Sequence, residues 1–109
     1  MYKLIALYHP PEDPAQFRRH LVDVHLPIVA KFPTLAGCRY GFTAPGAEGP
    51  ARYFAVVECD FVDRRAMETA LASVPGQEAV ADVPNYAGAG VTILTFEVSG
   101  ETEHALRAP

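Results

Sequence analysis

Residues 13–28 read Asp13-Pro14-Ala15-Gln16-Phe17-Arg18-Arg19-His20-Leu21-Val22-Asp23-Val24-His25-Leu26-Pro27-Ile28. Asp13 is a capping residue, Pro14 suits the first helical position, and Gln16 stands three residues after Asp13, as in a capping box. Phe17, Leu21, Val24 and Ile28 then recur at spacings of four, three and four, which puts one apolar stripe along an amphipathic helix. Pro27 has no N–H to give residue 23, so the spacing predicts a kink, or two helical pieces meeting near His25. Phe32-Pro33 ends the element.

Working outward, Lys3-Leu4-Ile5-Ala6-Leu7-Tyr8 is a nearly continuous apolar run of central-strand type, stopped by His9-Pro10-Pro11. Downstream, Cys38, Tyr40 and Phe42 alternate with Arg39 and Gly41, and Tyr53 to Phe61 forms a second run beyond the loop 45–50. A simple hairpin pairs residues whose numbers sum to about 97, setting Arg39 opposite Glu58 and Cys38 opposite Cys59. Asp63 can cap a second helix carrying Met67, Ala70, Leu71 and Val74. Pro75-Gly76 is expected to break it, with another turn or two over 77–82 and a last strand over 91–98.

The order strand, helix, strand, strand, helix, strand defines an α+β, ferredoxin-like split βαβ fold with a four-stranded antiparallel sheet. Leu4, Ala6 and Tyr8 fall on one side of the first strand and Ile5 and Leu7 on the other, and the third strand is apolar on both sides too. Two helices cover one face. The simplest cover for the other is a second copy, hence a homodimer. The expected domain spans 1–98, and the tail 99–109, which alternates small and charged residues, is expected to be loosely held.

The chain has 109 residues, half of them apolar, with a formal net charge of −4. This is one domain in size, and it carries no basic cluster of the kind that offsets phosphate, which argues against nucleic acid as a partner. The run Leu4–Leu7 is far short of the roughly 20 residues that cross a bilayer and lacks a signal-peptide pattern. No membrane partner is expected, and a cytoplasmic location follows by elimination. Cys38 and Cys59 sit in strand-like runs without CxxC spacing and read as buried free thiols. No phosphate-binding glycine motif or HExxH occurs, so neither a cofactor nor a metal is expected.

His25 is the principal candidate for chemistry. With Phe17 as zero, it falls at about 80° on the wheel, at the edge of the buried stripe beside the Pro27 interruption. Histidine exchanges protons near neutral pH with little tuning. The same position also suits a half-buried helix-end histidine bonded to a carbonyl. His20 falls about 140° away from His25 on a regular helix and is expected to share no site with it. His9 and His104 read as ordinary surface residues. Tyr40 and Asp82 are candidates to orient His25 or a substrate, and Tyr8, Tyr53, Asn85 and Tyr86 to line a substrate cavity. Each tyrosine taken singly is as readily a core or interface residue, and Asp82 as readily a solvated carboxylate or a partner of the Asn85 amide.

Three segments carry a resemblance: Asp13 to Phe17, Asp23-Val24-His25-Leu26-Pro27-Ile28, and Pro33-Thr34-Leu35-Ala36-Gly37-Cys38-Arg39-Tyr40. Together with Ala81-Asp82-Val83-Pro84-Asn85-Tyr86, they resemble the EthD family, named for a protein linked to ethyl tert-butyl ether degradation, in the dimeric α/β-barrel superfamily. The likeness spans roughly residues 2–98, and the family's glycine after the second proline is Thr34 here. The resemblance implies a ferredoxin-like protomer whose sheet packs on a partner's sheet, with a pocket between helices and sheet. It places the family's helix histidine at His25. Relatives include a cofactor-free muconolactone isomerase and polyketide-tailoring enzymes; the isomerase's cysteine is matched to neither Cys38 nor Cys59. The implied role is action on a small apolar organic compound in a catabolic or tailoring pathway, by cofactor-free lyase or isomerase chemistry at His25. The alternative is a non-catalytic protein that binds or delivers such a compound.

Overall fold

The computed structural model describes residues 1–102; His104 and the end of the tail lie outside the described residues. Strands β1 (Tyr2–Tyr8), β2 (Gly37–Phe42), β3 (Ala55–Phe61) and β4 (Val91–Glu97) form one antiparallel sheet in the order β2-β3-β1-β4. The apolar first strand is central, as its composition requires. The β2–β3 register pairs Cys38 with Cys59 and Arg39 with Glu58.

Helix α1 (Pro14–His20) begins where Asp13 accepts the Gln16 N–H at 3.1 Å, with Pro14 in the first turn. Only half of a capping box is made, because the Gln16 side chain reaches the Asn85 carbonyl at 3.4 Å instead. A π-helical turn, Leu21–His25, follows and passes into α2 (Leu26–Val29), which carries Pro27 in its first turn. The Asp23 carbonyl has no N–H to meet at Pro27, and the chain widens: the Leu26 N–H donates to the Leu21 carbonyl, five residues back. The two helical pieces meet at His25, where the proline placed the interruption.

Helices α3 (Arg64–Ala72, capped by Asp63) and α4 (Val74–Asp82, capped by Ser73) join through a single residue. Pro75-Gly76 therefore lies inside the first turn of α4 rather than ending α3, since proline suits a first turn. Glycine is required at 76, because a Cβ there would stand 2.2 Å from the Ala70 carbonyl oxygen.

Phe17 and Leu21 are fully buried against Ala6, Tyr8, Val57 and Cys59 on one face of the sheet. Strand alternation puts Ile5, Leu7, Val56, Leu94 and Phe96 on the opposite face, where Leu94 and Phe96 are 48 % and 45 % exposed. At one end of that face Asp60 takes the Lys3 ammonium at 2.8 Å and the Arg39 guanidinium at 2.7 Å. Thr34 sits at φ 65°, the left-handed region that favours glycine, and its hydroxyl donates to the Ala66 carbonyl at 2.6 Å. Among the described residues no helix is long and apolar enough to cross a membrane.

Candidate functional site

Asp82, at the end of α4, is 7 % exposed and gathers three side chains. Its Oδ2 accepts from His25 Nδ1 at 3.0 Å, its Oδ1 from His20 Nε2 at 2.8 Å, and its Oδ1 again from Asn85 Nδ2 at 3.0 Å. His20 was expected to stand apart, on the reasoning of a regular helix. The π-helical turn between the two histidines brings residues five apart toward one face, and both rings reach one carboxylate.

Tyr86, just beyond the short 3₁₀ turn Val83–Asn85, packs against both rings. It stacks on His20 (centroids 5.0 Å apart, planes at 14°) and tilts against His25 at 5.0 Å. Its hydroxyl meets that of Tyr8 at 2.6 Å.

Burial pushes the Asp82 carboxyl up, but the bonds from Asn85, His20 and His25 outweigh it and hold Asp82 below the usual carboxylate value. Burial is also the largest influence on His25. It lowers the imidazole below 6.5 despite the bond and charge of Asp82, which favour the cation. Burial likewise raises the phenols of Tyr8 and Tyr86. At neutral pH the site thus holds a neutral His25, an ionised Asp82 and two neutral tyrosines.

His25 and Tyr8 carry the polar groups on the wall of an otherwise apolar cavity of about 210 Å³ between helices and sheet. Leu4, Val57, Cys59 and Val83 line it, and the exposed Val80 and Ile93 border it where it opens to the surface. Among the described residues no hydrogen bond occupies His25 Nε2, and none of the fully buried side-chain nitrogens or oxygens lacks a partner. Nε2 therefore keeps access to the cavity.

Of the residues singled out by sequence, His25, Asp82, Asn85, Tyr86 and Tyr8 come together. Tyr40 and Tyr53 do not. Tyr40 lies on the edge strand β2, separated from β1 by β3, and packs beside Phe42 while 48 % exposed. Tyr53 precedes β3 and packs against His9, 5.4 Å between ring centroids. His9 itself is only half-buried, and its Nε2 lies 3.1 Å from the Thr92 hydroxyl. Among the described residues no three His, Cys, Asp or Glu side chains are grouped to hold a metal; both histidines spend a ring nitrogen on Asp82.

The fold and site define a ferredoxin-like α+β protein with a histidine–carboxylate pair set into the wall of an apolar cavity. The family model for the EthD domain matches residues 9–90, and the chain belongs to that family. It is 34 % identical over 94 residues to an uncharacterized 11.0 kDa protein in the thcB-thcC intergenic region of Rhodococcus erythropolis, covering 86 % of this chain and 91 % of the other. An EthD family protein from Bacillus halodurans superposes with a TM-score of 0.85 at 28 % identity, over 90 % of this chain and 98 % of that one. A dimeric ferredoxin-like protein of unknown function from Thermobifida fusca matches at a TM-score of 0.70 and 16 % identity (89 % and 90 % covered). The hydroxynitrile lyase of Passiflora edulis shares the fold at a TM-score of 0.70 and 12 % identity (94 % and 95 %).

Proposed function

We propose that this EthD protein binds a small, largely apolar organic molecule in the cavity beside His25 and moves a proton on it without a bound cofactor, as a lyase or isomerase. The observation that carries the reading is the 3.0 Å bond from His25 Nδ1 to Asp82 on the wall of an otherwise apolar cavity. Nδ1–H points at the carboxylate, so Nε2 presents its lone pair to the ligand as general base. The imidazolium formed on proton uptake lies against Asp82, which stabilises it. The paired hydroxyls of Tyr8 and Tyr86 supply a donor on the sheet side, suited to an oxygen on which charge develops. At about 210 Å³ the cavity suits a ligand of roughly one ring, since a cavity of ~150 Å³ holds benzene. A lyase with the same fold supports this class of chemistry.

The working form is a homodimer joined through the uncovered sheet face around Leu94 and Phe96. A two-sided apolar sheet and a dimeric neighbour of like fold support it. The test is turnover across single-ring aromatic, lactone and ether compounds, followed by His25→Gln on the best substrate. A fall of roughly 10²–10⁴-fold with binding retained is expected. Equal turnover by the two proteins removes His25 from the mechanism, and binding without turnover in either supports the delivery role instead.

A further inference from the structure

Cys38 and Cys59 face each other across β2 and β3 with their sulfurs 3.9 Å apart. The ladder makes this approach a fixed feature. In the same register, the Thr43 N–H donates to the Phe54 carbonyl, and alternation from there puts 38 and 59 at a non-hydrogen-bonded position. Opposed Cα atoms are there about 4.5 Å apart and their side chains closest, within the roughly 4.4–6.8 Å that a disulfide tolerates. The two thiols differ in access. Cys38, expected to be buried, is exposed because β2 is an edge strand, while Cys59 is buried and lines the cavity. They lie on the helix side of the sheet, so association through the opposite face leaves Cys38 open.

We infer that Cys38 and Cys59 are a redox-active dithiol, oxidised by hydroperoxides to a cross-strand disulfide, with Cys38 as the attacking sulfur and Cys59 as the resolving one. The Cys59 thiol donates to Cys38, which with the adjacent Arg39 charge favours the Cys38 thiolate against burial, whereas Cys59 is pushed up. The Cys38 thiolate attacks a peroxide oxygen, the O–O bond breaks, and the leaving oxygen departs as water or alcohol, giving a sulfenic acid. The Cys59 sulfur then attacks the Cys38 sulfur, the S–O bond breaks, and hydroxide leaves with the Cys59 proton as water. Two thiols are oxidised and one peroxide is reduced. The disulfide ties the cavity wall at Cys59 to the edge strand.

The test treats the unaltered protein with hydrogen peroxide. An intact chain two hydrogens lighter is expected, with tryptic peptides 32–39 and 53–64 joined within one chain. Cys59→Ser should leave a Cys38 sulfenic acid that dimedone traps, and Cys38→Ser should react at least ~10-fold more slowly than the unaltered protein. Over-oxidation of both thiols without the joined peptides, links only between chains, or an unchanged rate in Cys38→Ser would each overturn the assignment.

Discussion

His25 donates through Nδ1 to Oδ2 of Asp82 at 3.0 Å, across 57 residues of sequence. This bond selects the tautomer that turns Nε2 toward the cavity, and the charge behind it opposes the lowering of the imidazole by burial. Asp82→Asn removes that charge and keeps the shape. The His25 titration midpoint, followed by NMR of the ring protons, is expected to move further below 6.5, with kcat/KM down by roughly 10² or more. An unmoved midpoint would separate Asp82 from control of the base.

The 2.6 Å bond between Tyr8 and Tyr86 joins β1 to the segment after α4, with both side chains buried. Tyr8→Phe or Tyr86→Phe alone leaves one buried hydroxyl without its partner, at a cost of about 1–3 kcal/mol. The double variant removes both and should cost less than the sum. Urea unfolding of the four proteins measures this coupling, and strict additivity would mean that the hydroxyls act independently.

Much of this architecture was legible in the residues. The 13–28 periodicity, the capping residues and the two-sided strands carry the element order, and a hairpin sum of about 97, favoured by the Arg39–Glu58 charge match, carries the register. The stripe itself shifts: Val24, expected in it, is 42 % exposed, because the π-helical turn carries the buried face through Phe17, Leu21, His25 and Val29 instead. The site was legible only in part. Pro27 marked the interruption, but a wheel at fixed pitch cannot show how a helix relieves it, and the π-helical turn moved His20 onto Asp82. Two histidines five apart, followed by a proline, were the available signal. Tyr40 lies apart from the cluster around Asp82, and strand alternation, which gives its face, does not give its distance from β1. Thr34 shows the same limit: the family resemblance marks a departure from glycine, and only the backbone shows the left-handed residue steadied by a bond to Ala66.

The exposed Leu94 and Phe96 make the dimer testable. Sedimentation of the unaltered protein should give about twice the 11.8 kDa chain mass at micromolar concentration. Leu94→Glu, which sets a charge midway along β4 on the apolar face, should give a folded monomer. A monomeric unaltered protein would sink the proposed interface.

Acid should weaken the fold in two stages. His25 is held below 6.5 in the folded state. The unfolded chain therefore takes up its proton first, and stability falls as pH drops from about 6.5 toward the folded value. Asp82 and Asp60 are held below 3.8, the latter down to about 2 by Arg39 and Lys3 against burial. Their contribution is complete above 3.8 and is lost as pH falls through the folded values. Urea midpoints measured from neutral to acid pH should show both stages, and His25→Gln should abolish only the first. Persistence of the first stage in that variant would assign it to another group.

His20 provides the sharpest test of the shared carboxylate. Its Nε2 stands 2.8 Å from Asp82 Oδ1 while its ring stacks on Tyr86, and it does not line the cavity beside His25, so any influence it has there is expected to run through Asp82 and Tyr86. His20→Leu keeps most of the bulk and deletes the donor. This should cost about 1.5–3 kcal/mol of stability, the range for a bond to a charged group, and let Asp82 drift from His25. His20→Gln can return an N–H to the carboxylate from the same backbone position. Once a substrate is found, His20→Leu is expected to lose roughly tenfold in kcat with little change in KM, and His20→Gln to recover most of it. A merely structural role would lower stability in His20→Leu and leave the kcat of the folded fraction unchanged. That result would leave Asn85 as the partner that orients Asp82, through its 3.0 Å amide bond.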